Sequence, residues 1–354
     1  MIGKDGWTVS NQDVNVFFTM SPWPVRAEIW SPAAQRRAAE LGFRVRLNDR
    51  PGPMTADEWS RAIEGVEALI TGWGVPRLDE AVLARNTGLK IVGHAAGAVA
   101  GIVSPALYQR GVRVVTSNAI MAQAVAEWCL MVTQIGWQRF ADYAGLGAAV
   151  DMVWENRLLL RGMHEATLAI WGYGDISRRL IALLRPFGPK EILVHSRHLS
   201  AAEASEAGVT LVEFDELFER GDIIHLLGAM TERNTGQVGP KQLARIKDHA
   251  VLINAGRARL VQEEPLLAEL RKGRFQAILD VHYKEPLPAD SPFRGLPGVI
   301  LAPHLAGRGK EGLYIPHVLE EFDRFFRGAP LESEITPERA ATMSDESARG
   351  KRPR

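Results

Sequence analysis

Three ionisable residues stand at the ends of three short apolar segments in the second half of the chain. Arg257 follows AVLINAG, Glu285 follows QAILDVH, and His304 ends GVILAPH. An arginine can bind a carboxylate or polarise a carbonyl, and a histidine can exchange a proton near neutral pH. A neighbouring carboxylate favours the imidazolium and raises the pKa of the histidine. The combination predicts acid–base chemistry on a small acid. Three other histidines at strand ends are weaker candidates for the proton-transferring residue: His94, His225 and His282.

A glycine turn precedes these residues in the segment AIWGYGDISRRL. Gly172 permits a tight turn after a strand, and Gly174 lets a pyrophosphate approach the backbone. The following helix offers free N–H groups and the positive end of its dipole. Ser177 replaces the third glycine of the usual fingerprint and is small enough for helix–strand packing. The segment predicts a dinucleotide site, and the alternative is a purely structural turn. The residues of the predicted site are Gly172, Tyr173, Gly174, Asp175 and Ile176.

The end of the next strand bears on which dinucleotide is bound. The segment VHSRH, residues 194–198, has no carboxylate to hold the adenosine ribose hydroxyls. Ser196 and Arg197 could instead accept a 2′-phosphate by a hydrogen bond and an ion pair. The sequence therefore favours NADP over NAD, and the alternative is that Arg197 is a solvated loop residue.

Strands alternate with helices along the chain, which predicts βαβ units and parallel sheets. Predicted strands cover 14–20, 43–47, 67–74, 90–97, 112–117, 167–172, 191–196, 209–212, 222–228, 250–256, 276–282 and 298–304. Predicted helices cover 33–41, 55–63, 78–86, 121–140, 176–187, 214–221, 240–246, 263–273 and 311–328. Ligands bind beyond the carboxyl ends of such strands, so we expect the arginine, glutamate and histidine at one sheet edge.

The composition of the chain excludes several classes of protein. Its 354 residues favour two domains, and 42 basic against 42 acidic residues give no sign of a nucleic-acid partner. The single cysteine, Cys129, excludes a disulfide scaffold and predicts a reducing compartment. No spacing of His, Asp and Glu indicates a metal. The N-terminus lacks the pattern of a secretory signal, and no uninterrupted apolar run suits a membrane, so we expect a cytoplasmic protein.

These motifs resemble the D-isomer-specific 2-hydroxyacid dehydrogenase family. The resemblance rests on WGYGDISRRLIALLRPFG, LINAGRARLVQEEPLLAELRKGRFQAILDVHYKEPLPADSPF and LAPHLAG, and it extends over about 70–330. It implies that Arg257 orients the substrate carboxylate, that His304 transfers the proton and that Glu285 tunes His304. The family's nicotinamide-contacting aspartate falls on Asp280, for which capping a turn is the alternative. The remaining predicted cofactor contacts are Ser196, Arg197, Ala255 and Gly256.

The resemblance also implies a domain organisation. Two Rossmann-like, doubly wound parallel-sheet domains are expected, with the cofactor domain at 123–308 inserted into a discontinuous substrate domain at 1–122 and 309–337. A homodimer formed largely through the cofactor domains is implied as well. The charged stretch 338–354 lacks periodicity, and we expect it to be a frayed tail.

Several positions depart from the family pattern and bear on the substrate more than on the reaction. In the loop GHAAGAVAG, Ala100 stands where an aspartate is expected, which leaves the backbone N–H groups of Ala96 and Gly97 to hold a carboxylate. The other departures are Met121 in place of Asn, Arg259 in place of Gly, and HLLGAM at the end of one strand.

The sequence thus predicts hydride transfer between a nicotinamide cofactor and a small 2-hydroxy or 2-oxo acid. An alternative is an NAD(P)H-sensing, corepressor-like binding protein of the same fold with little turnover, which the altered loops would permit. A phosphite-type hydride donor also stays open, because phosphite dehydrogenases keep the same triad.

Overall fold

The computed structural model describes residues 11–22, 24–144 and 161–345, which form two compact units. Among the described residues, those up to Met121 and those from Arg308 onward make one unit, called here the terminal unit. Ala122–Gly307 make the other, called the inserted unit. The chain therefore leaves one unit and returns to it, which is the arrangement of an inserted domain.

Twelve strands, thirteen α-helices and five short 3₁₀ helices are found in the described residues. The strands are β1 (Asn15–Phe18), β2 (Arg44–Leu47), β3 (Ala68–Thr71), β4 (Ile91–His94), β5 (Arg113–Thr116), β6 (Thr167–Trp171), β7 (Glu191–His195), β8 (Thr210–Leu211), β9 (Ile223–Leu226), β10 (Val251–Asn254), β11 (Gln276–Leu279) and β12 (Val299–Leu301). The α-helices are α1 (Pro24–Ile29), α2 (Pro32–Leu41), α3 (Ala56–Ala62), α4 (Pro105–Gln109), α5 (Asn118–Trp137), α6 (Phe140–Ala144), α7 (Asp175–Leu184), α8 (Ala201–Glu206), α9 (Phe214–Arg220), α10 (Pro240–Arg245), α11 (Glu263–Arg271), α12 (Tyr314–Phe326) and α13 (Pro337–Ala341). Short 3₁₀ helices cover Asn11–Asp13, Met163–Glu165, Arg185–Phe187, Ala258–Leu260 and Glu311–Leu313.

The terminal unit is built on a five-stranded parallel sheet in the order β2-β1-β3-β4-β5. Successive side chains of a strand point to opposite faces, so Phe17 and Phe18 of β1 enter two different cores. Phe18 packs in the core that contains Phe322 of α12, and Phe17 packs in the core that contains Trp59 of α3. Both faces of the sheet are covered, as parallel sheets require.

The inserted unit has a seven-stranded parallel sheet in the order β12-β11-β10-β9-β6-β7-β8. The chain builds outward from β6 to β8 on one side and from β9 to β12 on the other, so the strand order reverses between β6 and β9. A doubly wound sheet forms its ligand crevice at such a switch point. The predicted fold class, two Rossmann-like parallel-sheet domains with one inserted into the other, is confirmed.

Helix α5 contributes to the core of the inserted unit. A Cβ on Gly136 would lie 2.6 Å from Val251 Cγ1, so only glycine allows the helix to approach the sheet this closely. Thr133 lies one turn earlier, and its Oγ1 is 3.0 Å from His225 Nε2. Among the described residues, this helix alone has the length and apolar composition to cross a membrane, properties that a core helix of a soluble protein shares.

The helix predicted over 78–86 is wrong, because this segment forms consecutive turns. Its backbone groups bond to side chains from elsewhere in the chain. Ser60 Oγ accepts the N–H of Arg85 at 3.0 Å, and Arg110 donates to the carbonyl of Leu83 at 2.7 Å. Such bonds compete with the regular helical pattern.

The prediction of a frayed tail from residue 338 is wrong at its beginning. The side chain of Thr336 caps α13 by accepting the N–H of Arg339 at 3.2 Å. Ala340 is buried in a core of the terminal unit. One capped turn with an apolar anchor suffices to order this stretch, and residues 346–354 lie outside the described part of the chain.

Candidate active site

Neighbouring strands bring the three predicted catalytic residues to one edge of the inserted unit. Strands β10, β11 and β12 lie side by side, and their carboxyl ends precede Arg257, Glu285 and His304 respectively. Glu285 Oε2 lies 2.8 Å from His304 Nδ1. The charge of Arg257 reaches His304, where it opposes protonation. The structure thus groups a guanidinium, a carboxylate and an imidazole within one site.

His304 is held in place through its backbone. Its φ of 55° lies in the left-handed region, and its N–H donates to the carbonyl of Asp280 at 2.8 Å. The side chain is 41% exposed, which leaves the imidazole accessible. The hydrogen bond to Glu285 raises the pKa of His304, and partial burial and the charge of Arg257 oppose this rise.

Glu285 is bound by two partners that favour its ionised form. One oxygen accepts from His304, and the other accepts the N–H of His282 at 3.0 Å. Burial acts to raise the pKa of Glu285, but these hydrogen bonds outweigh it and hold the pKa below its ordinary value. Because the carboxylate accepts at Nδ1, that nitrogen carries a hydrogen and Nε2 is the atom that can exchange a proton.

Arg257 follows a turn fixed by a residue that sequence reasoning missed. The buried Asn254 accepts the N–H of Gly256 and donates to the carbonyl of Arg257, both at 3.1 Å. A Cβ at Gly256 would lie 2.8 Å from the carbonyl oxygen of Leu226. The only available signal was a polar residue ending an apolar strand. Arg257 itself is half-buried, with Nη1 donating to the carbonyl of Gly256 at 2.8 Å.

Asp280 supports the turn that carries His304. It is 1% exposed, and its two oxygens accept the N–H groups of Leu305 at 2.7 Å and Ala306 at 2.9 Å. This geometry favours the turn-capping alternative for Asp280 over the predicted contact with a nicotinamide. Sequence position alone could not distinguish the two roles.

The glycine turn has the shape that a pyrophosphate needs. Gly172 has a φ of 101°, and a Cβ there would lie 2.9 Å from the carbonyl oxygen of Leu227. Gly174 is the N-cap of α7, and a Cβ at this position would meet no atom within 4 Å. The backbone is therefore open on the side where a phosphate would approach the helix N-terminus. These residues fit a dinucleotide.

The remaining residues of the turn are consistent with this fit. Asp175 places a negative charge in the first turn of α7, but Arg178 donates to it at 2.5 Å and offsets that charge. Arg178 also lies over the ring of Tyr173, 5.7 Å from its centroid. Ile176 is half-buried, whereas Ser177 is buried where a third glycine was expected.

The predicted ribose-phosphate contacts lie at the end of β7. Arg197 is exposed and donates to Asn234 Oδ1 at 3.3 Å, and Ser196 Oγ accepts the N–H of His198 at 3.3 Å. Within the described ranges, no carboxylate lies at ion-pair distance from Arg197. Ala255, the other predicted contact, is buried at the end of β10.

The predicted substrate loop belongs to the terminal unit. Thr116 Oγ1 lies 2.9 Å from the carbonyl of Ala96 and 2.8 Å from that of Gly97. No described residue accepts the N–H of either loop residue, as a backbone carboxylate site requires. Met121 packs against this loop, as shown by the 2.9 Å that would separate a Cβ on Gly97 from the Met121 sulfur.

In the described ranges, no group of three or more His, Cys, Asp or Glu could hold a metal.

Comparison with known proteins identifies a related family. A sequence model of the D-isomer specific 2-hydroxyacid dehydrogenase, NAD binding domain, matches residues 141–306. Glyoxylate/hydroxypyruvate reductase B of Yersinia enterocolitica is 29% identical over 289 residues, which are 80% of this chain and 87% of that protein.

Solved structures share the fold. A phosphoglycerate oxidoreductase from Rhizobium etli superposes with a TM-score of 0.74 at 24% identity, over 91% of this chain and 98% of that one. A D-lactate dehydrogenase with NAD+ from Lactobacillus jensenii gives a TM-score of 0.73 at 19% identity, over 91% and 99% of the two chains.

Proposed function

The chain belongs to the D-isomer specific 2-hydroxyacid dehydrogenase family, and we propose that it is an NADP-dependent reductase of a small 2-oxo acid such as glyoxylate or hydroxypyruvate. Membership makes it an oxidoreductase that exchanges a hydride with a 2-hydroxy or 2-oxo acid. The observation that carries the proposal is the 2.8 Å contact between His304 and Glu285, with the charge of Arg257 beside them.

Each residue of the site has a defined role in this reaction. Arg257 binds the substrate carboxylate and polarises the adjacent carbonyl through its forked N–H donors. A bound nicotinamide dinucleotide supplies the hydride. The imidazolium of His304 donates its Nε2 proton to the carbonyl oxygen, which becomes the hydroxyl of the product. Glu285 keeps the Nδ1 hydrogen in place and stabilises the imidazolium before the transfer. His304 then regains a proton from solvent, to which its side chain is open.

The turn after β6 and the end of β7 would hold the cofactor. The open backbone at Gly174 suits the pyrophosphate, and Ser196 with Arg197 suits a phosphate on the adenosine ribose. The absence of an acidic residue from 194–198 supports NADP, because a carboxylate there would repel the 2′-phosphate.

The choice of substrate is supported by the relatives and by the loop of the terminal unit. The reductase of Yersinia enterocolitica is named for glyoxylate and hydroxypyruvate. The loop 93–101 contains no Asp, Glu, Lys or Arg. A small acid without a further charged group matches such a loop.

A panel of 2-oxo acids tests the proposal. Purified protein is mixed with NADPH or NADH and with glyoxylate, hydroxypyruvate, pyruvate or a longer 2-oxo acid, and cofactor oxidation is followed by absorbance. We expect turnover of glyoxylate or hydroxypyruvate with NADPH. Tight NADPH binding without oxidation by any acid would instead identify the sensor-like alternative, and reduction of NADP by phosphite would identify the phosphite-type donor.

We also propose that the enzyme is a cytoplasmic homodimer. Met131 of α5 and Phe140 of α6 are large apolar side chains that are at least half exposed. The resemblance to the family supports the dimer, and these two side chains are candidates for its interface. Light scattering of the purified chain would measure its mass, and a monomer at micromolar concentration would contradict the dimer.

A further inference from the structure

We infer that Arg233, on the loop after β9, is a second ligand of the cofactor's 2′-phosphate, and that Asn234 positions Arg197 beside it. The inference rests on the proposed preference for NADP and adds a residue from a different loop. Nothing in the motif after β7 identifies Arg233, since 36 residues separate it from Arg197.

Contact between two loops carries the inference. Strands β7 and β9 flank β6 in the sheet, so the loops that follow them leave the same edge. Arg197 Nη2 bridges these loops by donating to Asn234 Oδ1 at 3.3 Å. The side chain of Arg197 is thereby directed to the loop that carries Arg233.

Asn234 is a fixed acceptor rather than a mobile surface group. It is 7% exposed, and its Nδ2 donates to the carbonyl of Ala229 at 2.8 Å. Its backbone N–H donates to Thr231 Oγ1 at 3.3 Å. The bond from Nδ2 orients the side-chain amide and the bond from the backbone N–H fixes the main chain, so Oδ1 has a defined direction toward Arg197.

The charges at this site are not neutralised by the protein. Arg197 and Arg233 are both exposed, and in the part of the chain that the structure describes neither has a carboxylate within 4.0 Å. Burial and the charge of Arg233 both lower the pKa of Arg197, as expected for neighbouring guanidiniums. Some arginines of the inserted unit have carboxylate partners and others, such as Arg185 and Arg294, donate to carbonyls; those with a carboxylate partner are Arg139, Arg178, Arg220, Arg245 and Arg274.

A phosphate monoester suits such a pair. It carries a charge of about −1.5 to −2 at neutral pH and offers three acceptor oxygens. One guanidinium compensates about one unit of that charge, and a second provides the rest. The hydroxyl of Ser196, half-buried next to Arg197, adds a neutral donor. NADPH has this phosphate and NADH lacks it. Arg197 and Arg233 would therefore strengthen the binding of NADPH without affecting the binding of NADH.

Cofactor affinities measured by fluorescence titration test the inference. Arg233→Ala is expected to weaken NADPH binding about 10- to 150-fold, the range for losing a charge-assisted hydrogen bond, and to change NADH binding less than about twofold. Arg233→Lys should lie between the two, and Arg233→Asp should weaken NADPH binding further. Arg271→Ala removes the same charge from an exposed site on α11 and serves as the matched control. Titration with 2′,5′-ADP and 5′-AMP should show the same selectivity without a nicotinamide.

Three results would overturn the assignment in distinguishable ways. Equal weakening of NADPH and NADH by Arg233→Ala would place the residue at a shared part of the cofactor. A selective loss in Arg197→Ala with none in Arg233→Ala would leave the NADP preference intact and reject Arg233. Tighter binding of NADH than NADPH by the unaltered chain would reject the proposed preference itself.

The role of Asn234 is tested by a double-variant cycle. Asn234→Ala should weaken NADPH binding in the unaltered background and have little further effect once Arg197 is Ala. A purely structural role would weaken NADH binding as well and would act equally in both backgrounds. Thermal midpoints of all variants show whether the fold is retained.

Discussion

Histidines end a strand segment in both units, and the two differ in almost every other respect. His304 in the inserted unit is 41% exposed and lies 2.8 Å from a carboxylate. His94 in the terminal unit is buried, and its Nδ1 lies 3.0 Å from the neutral hydroxyl of Thr71. The carboxylate raises the pKa of His304, whereas burial lowers the pKa of His94 to about 4. Position at a strand end therefore does not create an acid–base catalyst; access to solvent and an ionised partner do.

His225 at the end of β9 supports this distinction. It is fully buried, its only described side-chain partner is Thr133, and burial lowers its pKa to about 3. Both buried histidines are neutral at physiological pH and serve the packing of their units. His304 alone of the three combines exposure with a negative neighbour.

The largest effect is expected at His304. Replacement by Gln removes the proton donor, and kcat for 2-oxo acid reduction should fall about 10²- to 10⁴-fold. Binding of NADPH, measured by fluorescence, should change little. His164→Gln, at an exposed position away from the site, is the matched control, and we expect it to keep most of the rate. Near-normal turnover by His304→Gln would show that another group moves the proton.

Arg257 comes next. Arg257→Gln loses the guanidinium that binds the carboxylate and polarises the carbonyl, so kcat/KM should fall about 10²-fold or more. Arg257→Lys keeps the charge without the forked donors and should recover only part of the loss. Steady-state kinetics on both variants measure this, and full recovery by Lys would show that charge alone is needed.

Glu285→Gln should produce a smaller loss, about 10-fold near neutral pH, together with a shifted pH profile. Reduction needs protonated His304, so its rate falls as pH rises through the pKa of that residue. Removing the carboxylate removes the main cause of the raised pKa, and the alkaline fall should move to lower pH. The oxidation reaction, which needs neutral His304, should gain activity at lower pH. A profile unchanged in kcat would contradict the assigned role of Glu285.

The smallest effect on activity is expected at His94, where the consequence lies in stability. The folded pKa is below the ordinary value of 6.5, so the unfolded chain binds a proton first as pH falls. The free energy of unfolding should decrease between pH 6.5 and about 4, by on the order of 3 kcal/mol. His94→Asn should reduce the fall in thermal midpoint between pH 7 and 5, and His164→Asn, at an exposed position, should not. Equal pH dependence in both variants would contradict this account.

Much of the site follows from sequence because parallel strands end at a common edge. Arg257, Glu285 and His304 each follow an apolar segment, so their convergence needs only the strand order. The role of Asp280 does not follow from the sequence, because its carboxylate accepts from N–H groups 25 and 26 residues away. The roles of Asn254 and Asn234 could not be predicted for the same reason. Their partners are backbone or side-chain groups that only the folded loops bring close.

Most of the fold follows from periodicity, although the short helices α1, α4 and α8 were not predicted. All twelve predicted strands are present, because buried parallel strands are continuous apolar runs bounded by turns. The apolar residues of 78–86 have helical spacing, but the side chains of Ser60 and Arg110 bond to its backbone, and the segment forms consecutive turns. Nothing in the local pattern reveals such distant partners.

Because the backbone of His304 is left-handed, this residue lowers the stability of the fold while it provides the imidazole that activity needs. For a side chain bearing a Cβ, that conformation costs on the order of 1 kcal/mol. Glycine would adopt it without strain and would leave no imidazole. Selection for thermal resistance alone would therefore drive this position toward an inactive enzyme, and only selection for turnover retains the histidine.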